Sequence, residues 1–445
     1  MNYAQTLEFL DSAMPSFQQK GAEAYKPGLE RITEFCRRIG NPQRNFFTIH
    51  VAGTDGKGSV SSMLAAVLQS AGYRTGLFTS PHIHEFRERI RVDGEIIPKQ
   101  KVVNFVDKYH DTMVEVGLSY FEMTTAMAFD YFDQSDVEVA VIETGLGGRL
   151  DATNIVTPIL SIITNISTEH TDLLGATLPE IAGEKAGIIK KSIPVIIGEH
   201  NAECDPVFGS RAAELKSRVV YAQEAFLLND SQQAEGGQRF RLLRTRDGHA
   251  YDLAVDLAGS YQRRNIVTVC AALDFLHEET PLTISRRALR EGLATAAATT
   301  GLRGRWQRIA DSPAVICDTG HTPNAFSEIV RQLSDAGTGG KVVAVLGFVR
   351  DKGVEAIISH LQGLSAPLEV IFTRPSVERA MDPEVLRSPA EAAGLKFTVV
   401  QSVAEALELA RKAASAEDTI FVGGSTYVVA EVLSSAQQPQ PQQQA

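Results

Sequence analysis

Basic charge is in short supply in this 445-residue chain, where 43 Lys and Arg stand against 54 Asp and Glu for a net charge of -11. That balance excludes a general nucleic-acid binder, which needs surplus cations to neutralise phosphates. It leaves room for an anionic ligand, because a few local Lys, Arg and backbone N–H groups can hold one on an acidic protein. Cysteine is scarce too. Cys36, Cys204, Cys270 and Cys317 are scattered, with no C-x-x-C spacing, so neither a disulfide framework nor a zinc site is expected and a reducing cytoplasm fits. Long apolar runs are missing: no stretch approaches the roughly 20 residues that span a bilayer. The opening MNYAQTLEFLDSAMP carries acidic residues and no long apolar core, unlike a secretory signal. The expectation is a cytoplasmic protein with neither nucleic acid nor membrane as partner.

What is present is the balance of a globular protein, 44% apolar and 22% charged residues. The length exceeds what one hydrophobic core serves, which predicts two domains. Phe46 to Ala52 reads as a buried strand followed by a Gly-rich turn. Val60, Met63, Leu64, Val67, Leu68 and Ala71 then recur at helical spacing and give one apolar face. Further strands are predicted at 137–142, 159–164 and 193–197. Strands alternating with helices imply a mostly parallel sheet covered on both faces. Residues 205–258 are polar and read as a small antiparallel excursion. A second strand series, 314–317, 342–346, 368–372, 397–400 and 419–422, predicts a second α/β domain. The expected division is 1–297, 298–435 and a disordered Gln/Pro-rich tail at 436–445.

The segment AGTDGKGSV lies between a predicted strand and a predicted helix starting near Ser59. Gly53, Gly56 and Gly58 let the backbone curl so that N–H groups, Thr54 among them, point at phosphate oxygens. The helix adds the positive end of its dipole. Lys57 is suited to the β- and γ-phosphates, and the Ser59 hydroxyl to Mg²⁺. Gly58 separates Lys57 from Ser59, a departure from G-x-x-x-x-G-K-[ST]. The bland alternative is a Gly-rich turn that binds nothing; the flanking strand and helix favour ATP.

Glu143 closes the strand VEVAVIE and opens ETGLGGRLDATN. A carboxylate there faces the crevice where open α/β sheets bind ligands, suited to a metal or a water beside the phosphates. A lone Glu at a strand end is more often merely solvated, but the GLGG run and Asp151 suggest backbone kept open for a ligand. His170, in TNISTEHTDLLG, emerges from the same sheet edge, although Mg²⁺ prefers oxygen to imidazole. Lys185, in GEKAGIIK, is either a surface lysine paired with a nearby acid or a functional one buried near charge.

The ordered motifs AGTDGKGS, TSPHI, ETGLGGRLDATN, TNIS–EH, GEKAGIIK, GRW and LGFVRDKG resemble those of the folylpolyglutamate synthases and dihydrofolate synthases of the Mur ligase superfamily. The resemblance covers about residues 25–430. It implies an α/β protein with an N-terminal P-loop ATPase domain, built on a mostly parallel sheet, and a C-terminal Rossmann-like domain, with the active site in the cleft between them. It implies that Ser59, Glu143 and His170 bind magnesium, in two ions, and that Lys185 matches a lysine carbamylated in related enzymes. Asn265 matches an adenine contact, and Arg305 and Asp318 match residues that reach the nucleotide from the C-terminal domain. Ser80, Pro81 and His82 resemble a loop of the folate pocket, with Phe121 and Asp151 as pterin-side candidates. Two departures stand out. Asp55 replaces the usual Asn of the phosphate loop, and Thr322 replaces the Asn that commonly follows His321, with Asn324 nearby.

The resemblance further implies ligation in two steps, with ATP phosphorylating a substrate carboxylate and L-glutamate attacking the acyl phosphate. His321 is a candidate for holding the acyl phosphate or the incoming amine. The acceptor is dihydropteroate, a folate, or both, and a monomer is expected. The alternatives are a folylpolyglutamate synthase alone, a Mur ligase acting on a peptidoglycan precursor, and a non-catalytic P-loop switch. TSPHI and ETGLGGRLDATN favour the folate branch.

Overall fold

The strand predicted from FFTIHVA forms as β1, Phe47–Ala52, buried from Thr48 onward. This computed structural model describes residues 1–13, 27–335, 340–350 and 353–435; the expected tail at 436–445 lies outside them. β1 runs at the centre of an eight-stranded sheet with β2 (Thr75–Phe78), β3 (Ile90–Val92), β4 (Glu95–Ile96), β5 (Val139–Glu143), β6 (Leu160–Ile163), β7 (Val195–Ile197) and β8 (Val219–Tyr221), in the order β4-β3-β2-β5-β1-β6-β7-β8. Both neighbours of β1 are parallel to it, with His50 opposite Ile142 on one side and Ser161 on the other. Only β3 and β4 turn antiparallel, at one edge.

Parallel strands need helical crossovers, and these cover both faces. On one face Ile49, Val51, Val141 and Ile162 pack with Val60, Leu64, Val67 and residues of the helices Gln262–Glu279 and Arg286–Ala294. On the other, Phe78, Ala140 and Ile142 pack with Phe129, Phe132 and residues of the helices Glu30–Arg38 and Lys99–Val116. The helix after the Gly-rich turn is Lys57–Ser70, beginning two residues before Ser59. Every residue from Ser59 to Leu68 is buried, so the single apolar face expected there is a correction. The helix is enclosed by the sheet and its neighbouring helices. Gly292 marks the closest approach, where a Cβ would stand 2.5 Å from Val67 Cα.

The antiparallel excursion begins later than expected. Residues 205–221 form the helix Asp205–Leu215 and β8, which extends the parallel sheet. Only β9 (Phe226–Ala234), β10 (Gly237–Arg244) and β11 (Ala250–Val255) make the small antiparallel sheet.

The chain splits into two compact units, Met1–Leu257 with Tyr261–Leu302, and Ala258–Ser260 with the residues from Arg303 on. The boundary expected at 297 falls inside the helix Ala296–Thr300, which packs with the first unit. The second unit holds a six-stranded sheet of β12 (Gln307–Asp311), β13 (Ala314–Cys317), β14 (Val342–Leu346), β15 (Leu368–Phe372), β16 (Lys396–Val399) and β17 (Thr419–Gly423), in the order β12-β13-β17-β14-β15-β16. All its pairings are parallel except β12 with β13, where a register shift lies between Arg308 and Ala310. Among the described residues no helix is long and apolar enough to cross a membrane.

Candidate functional site

The carboxyl end of β1 runs straight into the Gly-rich loop. Gly53 and Gly56 have φ of 149° and 85°, in the region that favours glycine. Space demands glycine as well: a Cβ would stand 1.8 Å from Thr164 Oγ1 at Gly53 and 2.4 Å from Asn265 Oδ1 at Gly56. The segment after β6 braces the loop. Thr54 N donates to Asn165 O at 3.0 Å, Asp55 N to Asn165 Oδ1 at 2.8 Å, and Thr164 Oγ1 to Asp55 O at 2.6 Å. Ser167 Oγ donates to the Asp55 carboxylate at 3.3 Å, so the residue that departs from the family pattern is turned toward this brace.

Two lysines meet on the loop. Lys57 Nζ donates to Gly53 O at 3.0 Å and Thr54 O at 2.9 Å. Lys185 Nζ donates to the same Gly53 O at 2.7 Å. Lys185 belongs to the helix Leu178–Ala186 and is only 3% exposed, which decides against a surface lysine. Burial, followed by the neighbouring Lys57 charge, lowers its pKa to about 7.

Ser59 is buried near the start of its helix and accepts from Gln262 Nε2 at 3.1 Å. Gln262 Oε1 in turn accepts from Asn265 Nδ2 at 2.8 Å. The adenine candidate and the metal candidate are thus tied through a glutamine that sequence reasoning missed, although its spacing three residues before Asn265 places both on one helix face.

Glu143, buried at the end of β5, accepts from Ser80 N at 3.0 Å, which joins it to the Ser80-Pro81-His82 loop. The Ser80–Pro81 peptide bond is cis. His82 Nδ1 accepts from Arg89 Nε at 2.9 Å. Burial and the Arg89 charge keep this imidazole neutral, with its pKa lowered to about 3. Arg89, also missed from sequence, is itself buried and lies 5.6 Å from the Tyr120 ring centroid.

The GLGG run earns its glycines by contact. A Cβ on Gly145 would stand 2.5 Å from Phe121 Cζ, and one on Gly148 would stand 2.9 Å from Glu184 O and Lys185 O. Asp151 closes the run: Oδ2 accepts from Gly145 N and Leu146 N, both at 2.9 Å, and Oδ1 from Thr153 N at 3.0 Å. Its carboxyl is wholly buried, which raises its pKa against the lowering effect of these donors.

His170 has φ of 50°, and its Nε2 lies 3.4 Å from Glu169 Oε1. Among the described residues no group of three or more His, Cys, Asp and Glu side chains is arranged to hold a metal alone. The Ser59 hydroxyl, accepting one N–H, retains a second lone pair, and a carboxylate such as Glu143 offers about four acceptor sites.

In the second unit, Asp318 follows β13 and is 1% exposed. Its Oδ2 accepts from Trp306 N at 2.8 Å and its Oδ1 from Gly320 N at 2.7 Å, tying the GRW segment to the DTGH turn. Arg305 Nη1 donates to Thr319 Oγ1 and to Gly304 O. His321 Nδ1 lies 2.9 Å from Thr319 O; a carbonyl only accepts, so Nδ1 carries the proton and Nε2 is directed elsewhere. Thr322 Oγ1 accepts from Ala325 N at 3.0 Å, at the start of the helix Pro323–Asp335, so the residue that replaces the usual Asn acts as a helix cap.

Comparison with known proteins agrees with this division. Residues 51–273 match the Mur ligase middle domain, and residues 304–426 match the Mur ligase, glutamate ligase domain. The chain is 30% identical to the folylpolyglutamate synthase of Lacticaseibacillus casei, over 97% of this chain and 98% of that one. The solved folylpolyglutamate synthase of Mycobacterium tuberculosis, complexed with ADP, superposes with a TM-score of 0.86 at 30% identity, covering 98% of both chains. A bifunctional folylpolyglutamate synthase/dihydrofolate synthase from Yersinia pestis, complexed with AMPPNP and a Mn ion, gives a TM-score of 0.81 at 28% identity, again covering 98% of both.

Proposed function

Because this chain belongs to the folylpolyglutamate synthase/dihydrofolate synthase family of Mur ligases, we propose that it is an ATP-dependent ligase joining L-glutamate to dihydropteroate and to folates. The observation that carries the reading is the braced Gly53–Ser59 loop, with Lys57 and the buried Lys185 on one loop carbonyl and Ser59 tied to Asn265. A loop alone binds phosphate; these companions suit phosphoryl transfer to a carboxylate.

In the reading proposed, backbone N–H groups of Gly53, Gly56 and Gly58 hold the phosphates, whereas the Thr54 N–H expected among them is committed to Asn165 O, and Lys57 leaves its two loop carbonyls to meet the charge on the transferring group. Asn265 serves the adenine, and Arg305 and Asp318 serve the nucleotide. The acceptor carboxylate oxygen attacks the γ-phosphorus, the bond to the β-phosphate oxygen breaks, and ADP and an acyl phosphate result. The amine of glutamate then attacks the carbonyl carbon and inorganic phosphate leaves. In this reading His321 uses its Nε2 on the acyl phosphate or the amine, a role supported by the Thr319 carbonyl holding its Nδ1–H. Ser80, Pro81, His82, Phe121 and Asp151 form the acceptor side.

Ser59, Glu143 and His170 would hold divalent magnesium, two ions in the full complex, which supplies charge neutralisation to the phosphates. A lysine with its pKa lowered to about 7 has a large neutral fraction at neutral pH, and a neutral amine is the form that adds CO₂. This favours carbamylation of Lys185. The cytoplasmic, monomeric state expected from sequence belongs to the same proposal.

Folylpolyglutamate synthase activity alone is the nearest second reading, because relatives carry both the single and the double name. The deciding measurement is ADP release by the purified protein with glutamate and either dihydropteroate or tetrahydrofolate. Both acceptors should support turnover. Turnover with tetrahydrofolate alone would leave the single activity, and glutamate-independent ADP release with both would overturn ligation.

A further inference from the structure

β1 carries a histidine that the reaction as derived above does not use. His50 lies three residues before Gly53, fully buried on the sheet face opposite Ile49 and Val51. Its Nε2 is 2.8 Å from Thr153 Oγ1, in the single-turn helix Ala152–Ile155. The same hydroxyl is 2.5 Å from Asp151 Oδ1.

The directions of these bonds follow from counting protons. Asp151 already accepts three backbone N–H groups, from Gly145, Leu146 and Thr153, so its carboxylate acts as the acceptor toward Thr153 Oγ1 as well. A hydroxyl has one proton. Once Thr153 gives it to Asp151, the oxygen can only accept from His50, whose Nε2 must therefore carry the ring proton. Nδ1 is left as a bare acceptor, and it is among the buried side-chain atoms with no hydrogen-bond partner. What the network uses of this histidine is its Nε2–H, the donor that leaves the Thr153 hydroxyl free to give its own proton to Asp151. Burial, reinforced by the Lys190 charge, lowers its pKa to about 3, so the ring stays neutral.

We propose that His50 is a positioning residue for acceptor binding, fixing the Thr153 hydroxyl and through it the Asp151 carboxylate that holds the Gly145–Leu146 turn. Phe121 packs on that turn, since a Cβ at Gly145 would meet its ring at 2.5 Å. The strand that leads into the phosphate loop thus also sets the wall of the acceptor pocket. The inference rests on the reading of Phe121 and Asp151 as the acceptor side.

The test compares His50→Leu, His50→Gln and Thr153→Val with the wild type in the ADP-release assay. Gln places an amide N–H near the position of Nε2, whereas Leu removes the donor, and Val removes the hydroxyl at nearly constant volume. His50→Leu and Thr153→Val should each raise the KM for the pteroate-type acceptor about tenfold, the effect of one hydrogen bond. The KM for ATP should hold within about twofold, His50→Gln should recover most of the loss, and the double variant should be no worse than either single one. Equal rises in both KM values, or a Gln variant no better than Leu, would overturn the proposal. If His50→Leu fails to fold, Thr153→Val carries the kinetic comparison. Nitrogen NMR of the histidine-labelled protein gives a readout independent of turnover: His50 should be the neutral Nε2–H tautomer, and an Nδ1–H or charged ring at pH 7 would refute the assignment. A wild type that turns over normally beside an unaffected His50→Leu would count against positioning alone. A wild type that releases no ADP with either acceptor would count against the ligase reading, while the tautomer still decides the network.

Discussion

Lys185 shows how one side chain changes its meaning on folding. Sequence left it between a surface cation and a buried functional group, because its partner, Gly53 O at 2.7 Å, lies far away in the chain. Its folded pKa of about 7 lies well below the usual lysine value near 10.5. Between those two values the unfolded chain binds the extra proton and the folded protein does not, so stability rises as pH climbs from about 7 toward 10.5 and is indifferent to this group below 7. In CO₂-free buffer, urea unfolding should show a gain of about 2 kcal/mol between pH 7 and pH 9 that Lys185→Met lacks. Parallel pH dependence in the two proteins would remove Lys185 as the source. His50 and Arg89 were illegible for a related reason: each gains its role from a partner, Thr153 or His82, that only the tertiary fold supplies. Glu143 was legible because its place at the end of an apolar strand is itself a statement about the sheet.

At the scale of elements, the helix Lys57–Ser70 is positioned by what surrounds it. Gly292 of the helix Arg286–Ala294 approaches so closely that a Cβ would meet Val67 Cα at 2.5 Å and Ala66 O at 2.8 Å. In an isolated helix Gly→Ala stabilises by about 1 kcal/mol. Here Gly292→Ala should instead destabilise by about 1–3 kcal/mol through overpacking. It should also raise the KM for ATP, because the displaced helix carries the phosphate loop at its start; denaturant titration and steady-state kinetics check the two effects. Apolar strands were the elements best read from sequence, with β13, β14 and β15 found at the expected residues. The strands β2 to β4 and β12 escaped because none carries the unbroken apolar run of β13 and β14: TGLF, IRV and EI are brief and interrupted by Gly or charge, and QRIAD is mostly polar. The helix Asp205–Leu215 was lost in a polar stretch because only Phe208 and Ala212 in it are buried.

For the whole molecule, the central point is that each unit has its own core. Ile49, Val141 and Ile162 anchor clusters of the first unit, while Phe326, Leu346 and Phe372 anchor the second. Separate cores predict unfolding in more than one step. Calorimetry should give a measured enthalpy larger than the van't Hoff value, and a single two-state transition would show the units to be one cooperative block. Both sheets also end on poor templates. The first closes at one edge with the two-residue β4 and at the other with the three-residue β8. The second closes with β12, charged and irregular beside Arg308, and with β16, which carries Lys396. Strands so brief, irregular or charged offer little ladder for a neighbouring molecule to extend. The consequence is colloidal: one chain carries two broad sheets while remaining resistant to edge-to-edge polymerisation in a crowded solution.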